Sequence, residues 1–552
     1  MESYKMFFAF LFVSSVNVQS YVISRQTSVS DGCARIYNEF IASQKIRFIY
    51  DDVKDCYENF PFDKDVASKT IDTLTGLIGG FYSFLDKAKE PPQPGFDFRS
   101  MDLIAELDLF RNKSYTTLHD FTKIKVFNDT IDRSNNDCEV THIDGQQTFN
   151  VISDYAKNSV VFSRDPGVRF NIALGRAHVS FAIRNELPAK SYIIYTLKCN
   201  NTNDFNIKRN WTAFTSSTIL NMFNDSKSYF NNICNHTKES LSSSFWRQEI
   251  AKIIDDINGI LAEQDKSVTT IRIIDEFVDF FKVQDFGVVK IVTELPVALS
   301  DALLANVIQG FKFKDLANTG VKKIVLDLSD NVGGQLLVAV FFNLLLFPNT
   351  YPTFDFDIRI SEQMKLAITE QFKLVTPDYI FDMRGYVNSK THANFTSSDD
   401  FISNNVYTRG GIMGNYSNKY ALSDSILNER IQFIQNLTTP LPWKSEDYII
   451  LTNGFCGSAC AFIAEHAVEF NNVTTVVVEI LGLLNNALMP KPFPLTGTFV
   501  NLPISEIYSK INPDEILEFS FRPAKFRLFY DEQNVRNISI LWSQAAALIG
   551  SK

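Results

Sequence analysis

The stretch NGFCGSACAFIAEH, residues 453–466, sets Ser458 between Gly457 and Ala459, with Cys456 and Cys460 just outside them. A serine hydroxyl becomes a nucleophile only when a base takes its proton and donors stabilise the oxyanion that follows. The apolar run Tyr448–Leu451 reads as a strand and the residues from Ser458 to about Phe470 as a helix. A serine at the first turn of that helix has free backbone N–H groups and the positive end of the dipole beside it, so the N–H of Ala459 is a natural oxyanion donor. A second donor can come from Gly333 and Gly334 in the loop SDNVGG, residues 329–334, because a residue without Cβ lets backbone approach a substrate closely. That loop follows a strand over Val321–Leu328 and precedes a helix over Gln335–Leu346. Both loops therefore lie at carboxyl ends of strands, where open α/β sheets place their sites.

The plainer alternative for Ser458 is a small residue in a tight turn packed under a sheet. The stretch lacks the Gly-x-Ser-x-Gly elbow of the α/β-hydrolases, since Cys456 and Cys460 hold the outer positions. The two cysteines have no histidines at metal-ligand spacing and read as small buried residues or a strained local pair. His466 lies eight residues beyond Ser458, roughly 12 Å along a helix axis, too far to act as its base.

The elements that must position these loops belong to a long chain. Its 552 residues exceed one hydrophobic core, which implies two to four domains. With 45% hydrophobic and 21% charged residues there is enough apolar material for large buried sheets. The net charge of -10 and the lack of any Lys/Arg-rich run exclude nucleic acid as a partner. Residues 1–20 read as a signal peptide: Lys5, an apolar stretch from Met6 to Val13 too short to span a bilayer, and Val18 and Ser20 placed for cleavage after Ser20. No later segment is long enough to span a membrane either, and the expected location is extracellular. Eleven Asn-x-Ser/Thr sequons, at Asn112, Asn128, Asn200, Asn210, Asn224, Asn235, Asn394, Asn415, Asn436, Asn472 and Asn537, then become candidate N-glycan sites. The seven cysteines leave at least one unpaired within a chain; Cys33 with Cys56 is the first expected pair and Cys199 with Cys234 the second.

Periodicity divides the rest. Residues 21–135 read as an N-terminal helical module, 136–212 as a small β-rich domain with turns at HIDGQQ and RDPG, and 213–265 as an exposed glycosylated insertion or linker. Residues 266–552 alternate strands and helices, the pattern of a buried parallel sheet with helical cover. The fold class expected is α/β, mixed with α+β, and multidomain.

DLSDNVGGQ at 327–335 followed by NGFCGSACAFIAEH resembles the tail-specific, or C-terminal-processing, serine peptidases, above all their secreted eukaryotic branch related to the chlamydial protease-like activity factor. DGCARIYNEF with DDVKDCYENFPFD, GFYSFLDKAKEPPQPGFDF, HIDGQQTF with SRDPGVRFN, and EFSFRPAKFRLFYDEQN extend the resemblance over most of the chain. It implies a ClpP/crotonase-like spiral catalytic core, a small β-rich domain before it for which a PDZ-like fold is one option, endopeptidase activity, a polypeptide substrate, and no metal or cofactor. On this resemblance Ser458 takes the nucleophile position and Gly334 and Ala459 the oxyanion-hole positions.

The resemblance implies a base, and at that point this chain departs from the family's pattern. Bacterial members use a lysine about 25 residues beyond the serine, where this chain has Leu483, with Lys491 the nearest lysine. The branch with a histidine and a glutamate points to Glu518, with Glu515 behind it; the structural alternative for Glu518 is a carboxylate paired with Arg522. The histidine would come from a segment between NKSYTTLHDF and HIDGQQ, where His119 and His142 stand outside the Asp-Gly-His context; a polar surface residue is the alternative for His119, and a turn residue for His142. Three functional readings follow: a serine endopeptidase, a catalytically impaired relative that binds polypeptide or another extracellular ligand, and an esterase using the same serine. Oligomeric state has no signature in the sequence.

Overall fold

The computed structural model describes, with short gaps, residues 31–58, 124–234, 267–294, 311–477 and 506–550, together with isolated residues at 72–81 and the pairs 491–492 and 499–500. The proposed signal peptide, His119 and Glu518 lie outside the described residues. The fold is mixed α/β, with helices and several separate sheets.

The largest sheet has seven strands whose spatial order is their chain order: β1 Val268–Ile274, β2 Val278–Val283, β3 Phe286–Ile291, β4 Ile324–Asp327, β5 Tyr448–Thr452, β6 Thr474–Val477 and β7 Phe526–Arg527. The first three form an antiparallel meander, and β3 through β7 are parallel to one another. In register, Ile324 stands opposite Gly287 and Tyr448, and Asp327 opposite Lys290 and Leu451. Two helices emerge from the loops read as chemically interesting, α1 Leu336–Leu346 after β4 and α2 Ala459–Asn471 after β5; a third, α3 Ile538–Ala547, lies near the C-terminus.

Strand alternation explains why the central strands are apolar on both sides. Ile324, Leu326 and Ile450 join a core with α1 and α2, whereas Val325, Ile449 and Leu451 pack with Leu541, Trp542 and Ala545 of α3. The sequence of α1, LLVAVFFNLLL, is apolar all round because Val338 through Leu346 are all buried. Asp327 is the one charge in β4; it is fully buried, accepting from Trp542 Nε1 at 2.9 Å and from the Ser329 backbone N–H at 2.9 Å. Its carboxylate thus serves both to anchor α3 and to start the loop after β4.

The region before the large sheet is antiparallel. Strands Gln146–Gln147, Glu139–Ile143, Tyr192–Lys198 and Phe205–Asn210 form a four-stranded sheet, with helices Thr148–Ser159 and Pro166–Leu174 in the same core region. The HIDGQQ turn is a hairpin with Asp144 at φ 50° and Gly145 at φ 81°, both left-handed, as a two-residue loop of this kind requires. Nearer the N-terminus, helices Gly32–Ser43 and Tyr50–Glu58 are joined by the expected Cys33–Cys56 disulfide. Ile219, Leu220 and Phe223 share their core.

The second expected disulfide is corrected. Cys199 pairs with Cys138. The register explains it: Glu139 stands opposite Lys198 in an antiparallel pair, so the residues flanking that rung become neighbours although they are far apart in the chain. Among the described residues, no helix is long and apolar enough to cross a membrane.

Candidate active site

Ser458 is the residue between β5 and α2, and its backbone is left-handed, with φ 54° and ψ -123°. That is the geometry of the first central residue of a II′ turn, a place for glycine; a residue with a Cβ held there carries roughly 1–3 kcal/mol of strain. The Gly-x-Ser-x-Gly consensus is absent, but a sharp strand-to-helix turn with serine at its strained position is present. Cys456 and Cys460, buried on either side of it, are joined as a disulfide that spans the turn. The two cysteines are thus both buried and a local pair, and the disulfide ties the strand side of the turn to the first turn of α2.

The loop after β4 packs directly on this turn. Gly333 has φ 94°, and a Cβ built on it would lie 2.4 Å from the Gly457 carbonyl oxygen, 2.7 Å from Ser458 Cβ and 2.9 Å from the Ala459 nitrogen. Glycine is obligatory there for both space and backbone angle. The two loops are cross-linked by polar contacts. The Gly457 N–H donates to the Asn331 carbonyl at 3.1 Å, and Asn331 forms an isolated parallel bridge with Cys456. Asp330 and Asn453 exchange two hydrogen bonds, Asn453 Nδ2 to Asp330 Oδ1 at 2.7 Å and the Asp330 N–H to Asn453 Oδ1 at 3.1 Å.

Backbone donors sort themselves around this contact. The Gly333 N–H is taken by Asn331 Oδ1 at 2.8 Å. On the far side of the loop, the Glu294 N–H donates to the Gly333 carbonyl at 3.3 Å and the Gln335 N–H to the Glu294 carbonyl at 2.9 Å. In that parallel bridge Gly334 itself turns its N–H away from Glu294, to the side on which Cys456 and the Ser458 turn lie. Among the described residues, neither the Gly334 nor the Ala459 N–H has an acceptor. The Cys460 N–H donates to the Gly457 carbonyl at 3.1 Å and the Phe462 N–H to the Ser458 carbonyl at 3.1 Å, so the helix ladder begins one residue later.

The structure thus brings Ser458, Ala459 and Gly334 together at the carboxyl ends of two adjacent parallel strands. Nothing is described of His119 or Glu518, and Lys491 is described only as backbone in a short strand with Pro492. His142 lies in the small antiparallel sheet, with Nδ1 3.1 Å from Thr141 Oγ1. His466 is fully buried in α2 between Phe347 and Phe470. Burial pushes its imidazole down to about 4, against a smaller opposing contribution from the Thr350 backbone, so it is a neutral core residue at physiological pH.

Two polar residues of this site escaped the sequence reading. Asn331 is fully buried, and its Nδ2 donates to the Ile291 carbonyl at 3.0 Å and to Glu294 Oε1 at 2.8 Å. Glu294 is fully buried as well, and burial, only partly offset by the Asn331 hydrogen bond, pushes its carboxyl up to about 8. A buried asparagine inside a Gly-rich loop was a signal available in SDNVGG; Glu294 had none, since it lies 37 residues from its partner.

No family model and no curated protein matches the chain. Among solved structures it is similar to mature CPAF, with TM-score 0.44 and 11% identity over 88% of this chain and 98% of that one. It is also similar to a protease from Bacteroides fragilis, with TM-score 0.34 and 12% identity over 89% and 98%. The photosystem II D1 C-terminal processing protease gives TM-score 0.28 and 10% identity over 89% and 98%.

Proposed function

We propose that the chain is a secreted serine endopeptidase of the tail-specific type, with Ser458 as nucleophile. The observation that carries this reading is the left-handed Ser458 at the entry of α2, pressed against a glycine loop, with two unengaged backbone N–H groups beside it. A strained serine in a turn that would favour glycine is the mark of a position kept for its hydroxyl. Ser458 Oγ adds to the carbonyl carbon of a peptide bond, its proton passes to a base, and the Gly334 and Ala459 N–H groups hold the oxyanion. The C–N bond then breaks as the base returns the proton to the leaving amine, and water hydrolyses the acyl-enzyme. His119, oriented by Glu518, is the base we assign, with Lys491 as the substitute. The crotonase-like core and PDZ-like small domain belong to the same proposal. Sequon residues Asn210, Asn224, Asn394, Asn415 and Asn472 are exposed, which supports N-glycosylation at those positions.

The missing Asp-Gly-His segment supports a second reading, a polypeptide-binding protein that retains the cleft without the chemistry. Labelling of the purified secreted protein with a fluorophosphonate, beside Ser458→Ala, separates the two. Labelling that maps to Ser458 by mass and vanishes in the variant supports the hydrolase; hydrolysis should fall on the order of 10⁶-fold. A folded, monodisperse protein that takes up no probe supports binding alone, and turnover of short esters without peptides supports the esterase.

A further inference from the structure

The Gly333–Gly334 loop is held from behind by one residue at three points. The Glu294 N–H donates to the Gly333 carbonyl, the Glu294 carbonyl accepts from Gln335, and Glu294 Oε1 accepts from Asn331 Nδ2 at 2.8 Å. Asn331 passes this restraint on: its Oδ1 occupies the Gly333 N–H at 2.8 Å and its carbonyl receives the Gly457 N–H at 3.1 Å. A single buried residue therefore links Glu294 to both halves of the candidate site, through its side-chain amide to Gly333 and through its backbone carbonyl to Gly457. We propose that Glu294 is a positioning residue, whose carboxyl orients the Asn331 amide so that the Gly333 N–H is blocked and the Gly334 N–H is left to face the Ser458 turn. The proposal rests on the serine reading for its catalytic consequence and on the loop geometry for the rest.

The carboxyl can accept from Asn331 in either protonation state, but only the neutral form leaves no unpaired charge buried behind the loop. Among the described residues no cation bonds to it, and its Oε2 is buried without a partner. Charged groups on the elements around it are engaged elsewhere or lie further along. Asp327 is held by Trp542 and Ser329, and Asp330 by Asn453. Asp279 on β2 stands opposite Lys290 on β3. Helix α1 carries no charge, and in α2 the titratable residues Glu465, His466 and Glu469 begin in the second turn. With burial holding its carboxyl up to about 8, ionisation at alkaline pH places an uncompensated charge behind the loop. The unfolded chain loses this proton near pH 4.5, so the folded protein retains a proton the unfolded one lacks, and stability falls as pH rises from about 4.5 to 8.

The test follows the rate of Ser458 labelling by a fluorophosphonate between pH 6 and 9 in the full-length protein, for wild type, Glu294→Gln and Asn331→Ala. Glutamine keeps the acceptor and cannot ionise, so the two rates should match at pH 6, and the wild type should fall about tenfold below Glu294→Gln by pH 9. Asn331→Ala should label at least about tenfold more slowly throughout, because one buried hydrogen-bonded link is gone. A wild-type to Glu294→Gln ratio that stays level across the range overturns the proposal. Failure of every protein to label is a failure of the serine reading, and thermal unfolding then decides the positioning claim. A wild-type Tm that drops relative to Glu294→Gln between pH 5 and 8 supports it, and parallel curves overturn it.

Discussion

The Asp144 hairpin and the Ser458 turn both put a non-glycine residue in left-handed backbone, and they do so on opposite terms. In the small sheet, Asp144 at φ 50° is followed by Gly145 at φ 81°, and Asp144 Oδ1 accepts from the Ile194 N–H at 3.1 Å. Aspartate and glycine are the residues that tolerate such angles, so local preference and fold agree. At the entry of α2, Ser458 at φ 54° and ψ -123° has no such excuse, and glycine precedes it instead of replacing it. The conformation persists because its surroundings leave no alternative: Gly333 against one side, the Gly457–Asn331 hydrogen bond, the Asp330–Asn453 exchange and the Cys456–Cys460 bridge. Of these two turns, the hairpin follows the local preference of its residues, and the Ser458 turn is held against that preference by tertiary contacts.

The most damaging way to break this contrast is Gly333→Ala, because the new methyl would meet backbone at 2.4 Å in a residue with φ 94°. A loss of about 3 kcal/mol in unfolding free energy is expected, together with loss of probe labelling. A melting curve superimposable on wild type would show that the two loops are not in contact. Removing the bridge as Cys456→Ala with Cys460→Ala should cost about 2 kcal/mol by the loop-closure relation, measured by denaturant titration under non-reducing conditions. It should also slow labelling, since the turn is then freer to relax toward ordinary helix entry; unchanged stability and labelling together would remove the bridge from the account. The smallest effects carry the sharpest comparison. Ser458→Gly should raise stability by about 1 kcal/mol while abolishing labelling, whereas Gly145→Ala should lower it by about 1 kcal/mol. Two shifts of the same sign would mean that the turns do not differ in strain as described.

Much of the fold was legible in the amino-acid sequence. The strand, loop and helix read at 321–346 and 448–470 appear as Ile324–Asp327 with Leu336–Leu346, and Tyr448–Thr452 with Ala459–Asn471. Most of these residues are buried, the strands and Val338–Leu346 and Ala459–Ala467 among them, and burial leaves a largely apolar record in the chain. The Asp-Gly hairpin and the Cys33–Cys56 pair were equally local. The Cys138–Cys199 pair was not, because it depends on which residues flank one rung of an antiparallel ladder. Glu294 and Asn331 were invisible as a pair for the same reason, their contact being made only when the ends of β3 and β4 come side by side.

By itself the sequence determined the alternation of buried strands and helices, the glycine pair and the serine at the two strand ends, and the net acidic balance. Those properties reside in residue type and short-range spacing, which burial and backbone sterics read directly. The tertiary structure alone decided that the two strand ends are neighbours and that Ser458 is held left-handed. It also decided which glycine N–H stays unengaged, and that a buried carboxyl stands behind the loop. Each of these depends on groups tens to more than a hundred residues apart meeting in a low-dielectric interior, where one hydrogen bond fixes an orientation that no local preference encodes.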